Sequence, residues 1–285
     1  MKSTITNSGS SQFPRTADLP AQSPLFWVEQ KDRYLRQLLI RDIQQITGRR
    51  LLVYFANRYE ATANIDDRDC SLIAEIFGDI GNDPVDLMIE TNGGSTDATD
   101  SIITFLRNVT TDLRVIVANS AKSNGTLIAL LAKSIVMGPQ AELGPIEPSV
   151  QGVPASILTQ PQVAATNFPL HMFGKYALQH SRDLATTLLK NGMMAGKPDA
   201  DVEAVVEKLA TRQTYASHGS SIDYNEALQL GLKIDKLGMD DELWKRIWLL
   251  HCMYDYDCRK SGYLKVFEGP AKSTAVARTP SPATP

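Results

Sequence analysis

The sequence predicts an α/β fold in which a central sheet is surrounded by helices, and three observations carry that expectation. Short apolar stretches without polar alternation, such as "VDLMIET" and "LRVIVANS", read as strands buried on both faces. Beside them stand segments with apolar residues at helical spacing, "DRDCSLIAEIFGDI" and "STDATDSIITFLRNV". The two kinds alternate, which is the pattern of strand–helix–strand units whose helices cover the sheet. A chain of 285 residues with a hydrophobic share of 43% can enclose a sizeable core around such a sheet.

Taken in order, residues 1–24 are rich in Ser, Thr, Pro and Asn and bury too little apolar surface to offset the entropy of ordering. They are expected to form a disordered tail, and 268–285, "EGPAKSTAVARTPSPATP", a second one. A single domain is expected over 25–267. "SPLFWVEQKDRYLRQLLIRDIQQITG" reads as a helix ended by Gly48, and "RRLLVYFANR" as the first strand. The alternating units follow as far as "LRVIVANS". Next come a helix of small and apolar residues in "SNGTLIALLAK", a short strand in "SIVMG" and the loop "PQAELGPIEPSVQGVP". Residues 160–210 read as mostly helical. "DYNEALQLG" is a helix stopped by Gly231 before the strand "LKID", and "DDELWKRIWLLHCMYDYDC" is the last helix.

Composition excludes several classes. The net charge of −3, without a basic stripe, argues against nucleic acid as the main partner. The first residues lack the apolar region of a secretory signal, and no apolar run reaches the length of about 18 residues that a spanning helix needs, so no direct membrane insertion is expected. Cys70, Cys252 and Cys258 have neither CxxC spacing nor an even framework, which fits a cytoplasmic location. No HExxH, GxxxxGK[ST], strand-linked GxGxxG or GxSxG motif is present, so no cofactor or metal is expected. "HCMYDYDC" gathers His251, Cys252, Asp255, Asp257 and Cys258, but in no recurrent zinc spacing. Trp27, Trp244 and Trp248 read as core or subunit-interface anchors, and Cys70 as a small buried hydrophobe.

Chemistry points to two loops at the ends of strands, "ETNGGS" and "NSAKSNGT". In open α/β sheets, sites form outside the carboxyl ends of the strands. Gly93 and Gly94 allow unusual backbone dihedrals and close approach of a substrate chain, and their amides could face an oxyanion. Ser123 opens a helix, so the amide of Asn124 joins the unpaired donors of its first turn. Two readings of Ser123 stand at this point: a nucleophile beside an oxyanion hole, or a helix cap.

The set "TNGGSTDATDSIITFLR", "RVIVANSAKSNGTLIALLAKSIVMGPQAELGPIEP" and "SHGSSIDYNEALQLGLKI" resembles the serine dehydrogenase proteinase family. That group lies within the Clp protease and crotonase fold, near the signal peptide peptidase A proteases, and the likeness covers about 25–250. The resemblance implies a Clp protease/crotonase-like fold of repeated ββα-type units. It also implies a serine protease that acts on peptide or protein substrates and assembles into a homo-oligomer. It makes Ser123 the nucleophile and the amides of Gly93, Gly94 and Asn124 the oxyanion hole. Asn124 departs from the small residue expected after the nucleophile, and its side chain could narrow the site.

A serine hydroxyl needs a base within hydrogen-bond reach. In Clp-type proteases that base is a His after the nucleophile helix, but alignment of "AELGPIEP" puts Glu147 there. His218, where such proteases carry the acidic member, gives a swapped arrangement: His218 as base, Glu147 as the acid that orients it. The alternative base is Lys175 in "HMFGKYALQH", similar to the Ser-Lys dyad of signal peptide peptidase A relatives. Lys122, beside the nucleophile, is read as steering substrate or forming a salt bridge. With no nucleotide motif, the chain is expected to act without ATP. Two other functions share the fold: a weak or inactive scaffold, and a crotonase-type acyl-thioester enzyme.

Overall fold

The run of six buried residues from Leu51 to Ala56, with no polar alternation, can be accommodated only in a strand covered on both faces. In the computed structural model, which describes residues 23–278 apart from 79, 81, 82 and 213, it forms β1 (Arg50–Ala56) of a mixed sheet. Before it come α1 (Pro24–Glu29) and α2 (Lys31–Thr47). Then follow α3 (Asp69–Phe77), β2 (Val85–Thr91), α4 (Thr96–Val109), β3 (Leu113–Ala121), α5 (Asn124–Leu130) and β4 (Ile135–Met137). Short pieces come next: β5 (Glu142–Leu143), β6 (Ser149–Val150), β7 (Val153–Pro154), α6 (Ala155–Leu158) and α7 (Pro161–Thr166). The chain continues through α8 (Phe168–Asn191), α9 (Asp199–Ala210), α10 (Tyr224–Gln229), β8 (Ile234–Lys236), α11 (Glu242–Ser261), β9 (Tyr263–Glu268) and β10 (Ser273–Ala277).

The sheet runs β10-β9-β1-β2-β3-β4-β8, with β5 beside the end of β3. Its strands from β1 through β8 are parallel, while β9 and β10 add an antiparallel edge. "VDLMIET" coincides with β2 residue for residue, and all of it is buried. The predicted first helix is instead two, broken at Gln30, whose backbone leaves the helical region at φ −95°, ψ 5°. Its predicted stop holds: Gly48 takes the left-handed conformation at φ 66°, and its amide donates to the carbonyl of Gln44.

The expected tail over 268–285 is corrected through Arg278. Residues 273–277 pair antiparallel with β9, which would otherwise leave an open edge beside buried Val266 and Phe267. The Ser- and Thr-rich composition hid a strand whose Thr274 and Val276 are β-branched. The amide of Gly269 closes the hairpin on the carbonyl of Lys272, and Arg278 pairs with Glu60. Residues 279–285 of that predicted tail, and 1–22 of the first, lie outside the described residues.

The polar run near the end of α11 is explained by ion pairs. Arg36 of α2 reaches both Asp257 of α11 and Glu268 of β9, and the hydroxyl of Tyr254 donates to Glu268 at 2.6 Å. Among the described residues, no group of three or more His, Cys, Asp or Glu side chains is arranged to hold a metal. Trp244 is buried in the core, and Trp248 stacks on His251 with ring centroids 4.9 Å apart. The side chain of Trp27 lies outside the description. Cys70 is only partly buried, and its thiol donates to the carbonyl of Ser101 at 3.5 Å.

Candidate active site at the strand ends

Parallel strands β2 and β3 end side by side, so the loops that follow them must meet. Ser123 stands between β3 and α5 with φ 53° and ψ −119°, a conformation that L residues with a side chain rarely hold. It occupies the N-cap position of α5, yet its hydroxyl makes no capping hydrogen bond. A cap residue has extended backbone and an oxygen turned to the first amides of the helix. Ser123 has neither, and it stands on a strained strand-to-helix elbow.

The sequence around it explains how the turn fits. Residues 121–125 read Ala-Lys-Ser-Asn-Gly, with small residues two before and two after the serine. A Cβ on Gly125 would lie 2.5 Å from Cγ2 of Thr91, so only glycine lets the elbow press against β2. Gly93 adopts φ 99°, and a Cβ there would lie 2.8 Å from Cβ of Ser123. Gly93→Ala therefore strains the backbone and collides with the elbow. It is expected to destabilise the fold by about 1–3 kcal/mol and to slow any reaction at Ser123 by about 100-fold or more, read by thermal melting and by acylation rate.

Of the three amides expected in an oxyanion hole, that of Gly93 donates to Oγ1 of Thr91 at 3.1 Å. Those of Gly94 and Asn124 have no hydrogen-bond partner among the described residues. The side chain of Asn124 is buried: its Nδ2 donates to the carbonyl of Gly94 at 2.7 Å and to Oγ1 of Thr96 at 3.4 Å. It thus ties the elbow to the glycine loop. That loop is held from its other side by Ile65, whose amide donates to Gly93 and whose carbonyl accepts from Ser95, each at 2.9 Å.

His218 reaches the same region through a chain of pairings. β5 pairs with the end of β3, placing Ser120 opposite Glu142 and Ala121 opposite Leu143. Leu143 then exchanges both backbone bonds with Ile222, at 2.9 and 3.0 Å, which brings the 218–221 loop against the elbow. Lys122 fastens it. Its buried Nζ donates to the carbonyls of Ser220 at 2.9 Å, Leu143 at 3.3 Å and Gly219 at 3.5 Å, and pairs with Glu142 at 3.1 Å. Ser221 also donates to Glu142. Burial, aided by the Arg58 cation, holds the Lys122 pKa below its ordinary value against the pull of Glu142.

Glu147 is buried behind this loop without touching His218. One of its oxygens accepts from the amide of Ser156 at 3.0 Å and the other from Nε of Arg212 at 2.8 Å. Arg212 in turn donates to the carbonyl of Ala216 at 2.9 Å, two residues before His218. Glu147 therefore steadies the His218 segment through Arg212, and no hydrogen bond joins His218 to Glu147 or to Ser123 among the described residues. The His218 ring is shifted below its ordinary pKa, first by desolvation, then by the Arg212 and Lys122 cations, with Glu147 opposing. Lys175 stands apart. It is exposed on α8, along a cleft shared with His171, Thr159 and Arg182, and has no described contact with the elbow.

These features define the chain by class. It belongs to the ClpP-like SDH-type serine proteinases, whose family model matches residues 59–276. Among curated relatives, two uncharacterized proteins of Methanocaldococcus jannaschii are 28% identical over 196 residues and 27% identical over 158 residues. These matches take in 66% and 53% of this chain, but only 65% and 52% of the relatives' own lengths. Among solved structures, the chain is similar in part to the membrane-bound stomatin-specific protease 1510-N. That match has 19% identity and a TM-score of 0.43, and covers 64% of this chain and 79% of the other. ClpP1 from Listeria monocytogenes gives 15% identity and a TM-score of 0.43, covering 70% and 98%.

Sequence reasoning missed Arg212 and the Glu142 end of the Lys122 clamp. The salt-bridging reading of Lys122 pointed the right way, but nothing local signals that its stem reaches a loop almost a hundred residues on. The elbow had a weak signal: its pattern is small-x-Ser-x-Gly, with Ala121 where the familiar motif has glycine.

Proposed function

We propose that this chain hydrolyses peptide bonds through an acyl-enzyme on Ser123. The observation that carries the reading is the backbone of Ser123, strained at φ 53° and unused as a cap, beside two unpartnered amides. His218 takes the Oγ proton as Oγ bonds to the substrate carbonyl carbon. The carbonyl oxygen, now negative, is received by the amides of Gly94 and Asn124, with Gly93 shaping the loop. Collapse breaks the C–N bond, and the amine leaves with the proton from His218. Water then attacks the ester, losing its proton to His218, which returns it to Oγ as the acid departs.

Peptide-bond hydrolysis itself consumes no nucleotide, and the chain carries no nucleotide motif of its own, so as a single chain it acts without ATP. Its substrates are peptides or proteins, and its setting is the cytoplasm. No helix among the described residues is long and apolar enough to cross a membrane. The chain also assembles with copies of itself. Phe168, Phe173 and Tyr176, each about 60% exposed on α8, offer an apolar face for that contact. A mass measurement in solution tests the assembly, and a strict monomer would contradict it.

His218→Ala is expected to slow peptide hydrolysis by about 100- to 10,000-fold. In the unaltered protein the rate should climb with pH along a limb whose midpoint lies below the ordinary histidine value of 6.5, because only the neutral ring accepts a proton. Full activity in His218→Ala with loss in Ser123→Ala would overturn the base assignment. Loss in Lys175→Ala under the same conditions would transfer the role to Lys175. A second reading, a weakly active scaffold, draws on the missing direct bond between Glu147 and His218.

A further inference from the structure

Glu90 lies on β2, three residues before Gly93, and is 1% exposed. β2 and β3 pair regularly as far as Ile89 opposite Val117, and then the register shifts so that Thr91 faces Ala121. Ala118, Asn119 and Ser120 are left opposite Glu90 alone. The Glu90 side chain fills that break: Oε2 accepts from the amide of Ser120 and Oε1 from Nδ2 of Asn119, each at 2.9 Å. Ser120 lies three residues before Ser123, so the carboxyl group fixes the last turnless stretch of chain leading into the elbow.

A titratable neighbour stands behind it. Nδ1 of His251, on α11, is 3.6 Å from Glu90 Oε2, buried, and without a hydrogen-bond partner among the described residues. The other charged groups around Glu90 are Arg58 after β1, and Asp255 and Arg259 of α11, which pair with each other at 2.8 Å. A cavity of about 250 Å³ opens between them and connects this face to solvent.

We propose that Glu90 is a positioning residue for Ser123: its carboxylate stands in for the missing ladder acceptor at the register break, and its protonation, with His251 Nδ1 as the hydrogen-bond acceptor for its hydroxyl, loosens the end of β3. The proposal rests on Ser123 being the nucleophile. When ionised, Glu90 accepts charge-assisted bonds from both Ser120 and Asn119. When protonated, it can turn its hydroxyl to His251 Nδ1 and holds Ser120 more weakly. Burial raises the Glu90 pKa to about 7, although the Asn119 and Ser120 bonds and Arg58 pull it down and Asp255 adds to the rise. Burial lowers that of His251 to about 4, so the ring stays a neutral acceptor wherever Glu90 titrates.

Two signs follow. Because the folded pKa of Glu90 lies above its ordinary 4.5, its contribution to stability is full below that value and is lost as pH rises through about 7. Positioning runs the other way, improving as the carboxylate forms. Glu90→Gln, a permanent mimic of the protonated state, should therefore gain melting temperature over the unaltered protein as pH goes from 5 to 8, by about 5 °C.

The test compares Glu90→Gln with the unaltered chain between pH 5 and 8. Protection factors of the amides in the 118–124 segment, with the base-catalysed rise of intrinsic exchange divided out, should increase with rising pH in the unaltered chain and stay flat in the variant. The ratio of their fluorophosphonate labelling rates at Ser123 should grow from near one to about ten over the same range, which cancels the titration of His218. Parallel exchange profiles, or a constant labelling ratio in proteins that do label, would overturn the positioning role. If neither protein labels at any pH, the nucleophile assignment fails, and the exchange profiles alone decide whether Glu90 holds the end of β3.

Discussion

Ser123→Ala is expected to reduce peptide hydrolysis by at least about 1,000-fold while leaving the fold intact. The hydroxyl makes no capping bond, so its removal costs the helix nothing that the first turn of α5 had gained from it. Ser123→Gly should be equally inactive but more stable than the natural protein, by about 1–2 kcal/mol, because glycine holds φ 53°, ψ −119° without a Cβ penalty. Melting curves of the two variants, set beside their residual hydrolysis, check both halves. A serine that served only as a cap would behave oppositely, with Ser123→Ala losing about 1 kcal/mol and no activity.

Lys122→Met is the second change with a large expected effect. Methionine keeps most of the apolar stem but removes the ammonium that binds three carbonyls and Glu142. The 219–221 loop then loses its tie to the elbow, and Glu142, with 20% of its side chain exposed, loses a cationic partner. Removing one member of a largely buried pair is expected to cost about 2–4 kcal/mol, and misplacing His218 by even an ångström should lower kcat by about 100-fold. Steady-state kinetics should show the loss in kcat with KM little changed, because Lys122 faces the protein's own loops. A fall confined to KM would mean that Lys122 meets substrate instead.

The strands and helices that build the parallel part of the sheet were legible in the sequence because burial on both faces leaves an uninterrupted apolar run. "VDLMIET" is β2 residue for residue for that reason, whereas "ELWKRIWLLHCMYDYDC" was readable within α11 through apolar residues at helical spacing. β10 was hidden because an edge strand needs little apolar surface of its own, and its residues resemble a tail in composition. At the candidate site, local order in the chain pointed to Ser123 and the two glycines, since each stands at the end of a readable strand. What depends on distant contacts was not readable. Glu147 and His218 occupy loops, and their geometry is set by Arg212, whose guanidinium bridges Glu147 and Ala216. The expected narrowing of the site by Asn124 is countered by a bond to Gly94 that no spacing rule announces.

The central claim is that Ser123 is a nucleophile activated by its turn, and mapping a covalent adduct tests it most directly. The folded 285-residue chain would be treated with a fluorophosphonate near pH 8 and digested for mass spectrometry. One adduct on the peptide containing Ser123, absent after Ser123→Ala and at least about 100-fold slower in His218→Ala, is the predicted result. A folded protein that takes up no probe, or carries it on another serine, would contradict the account.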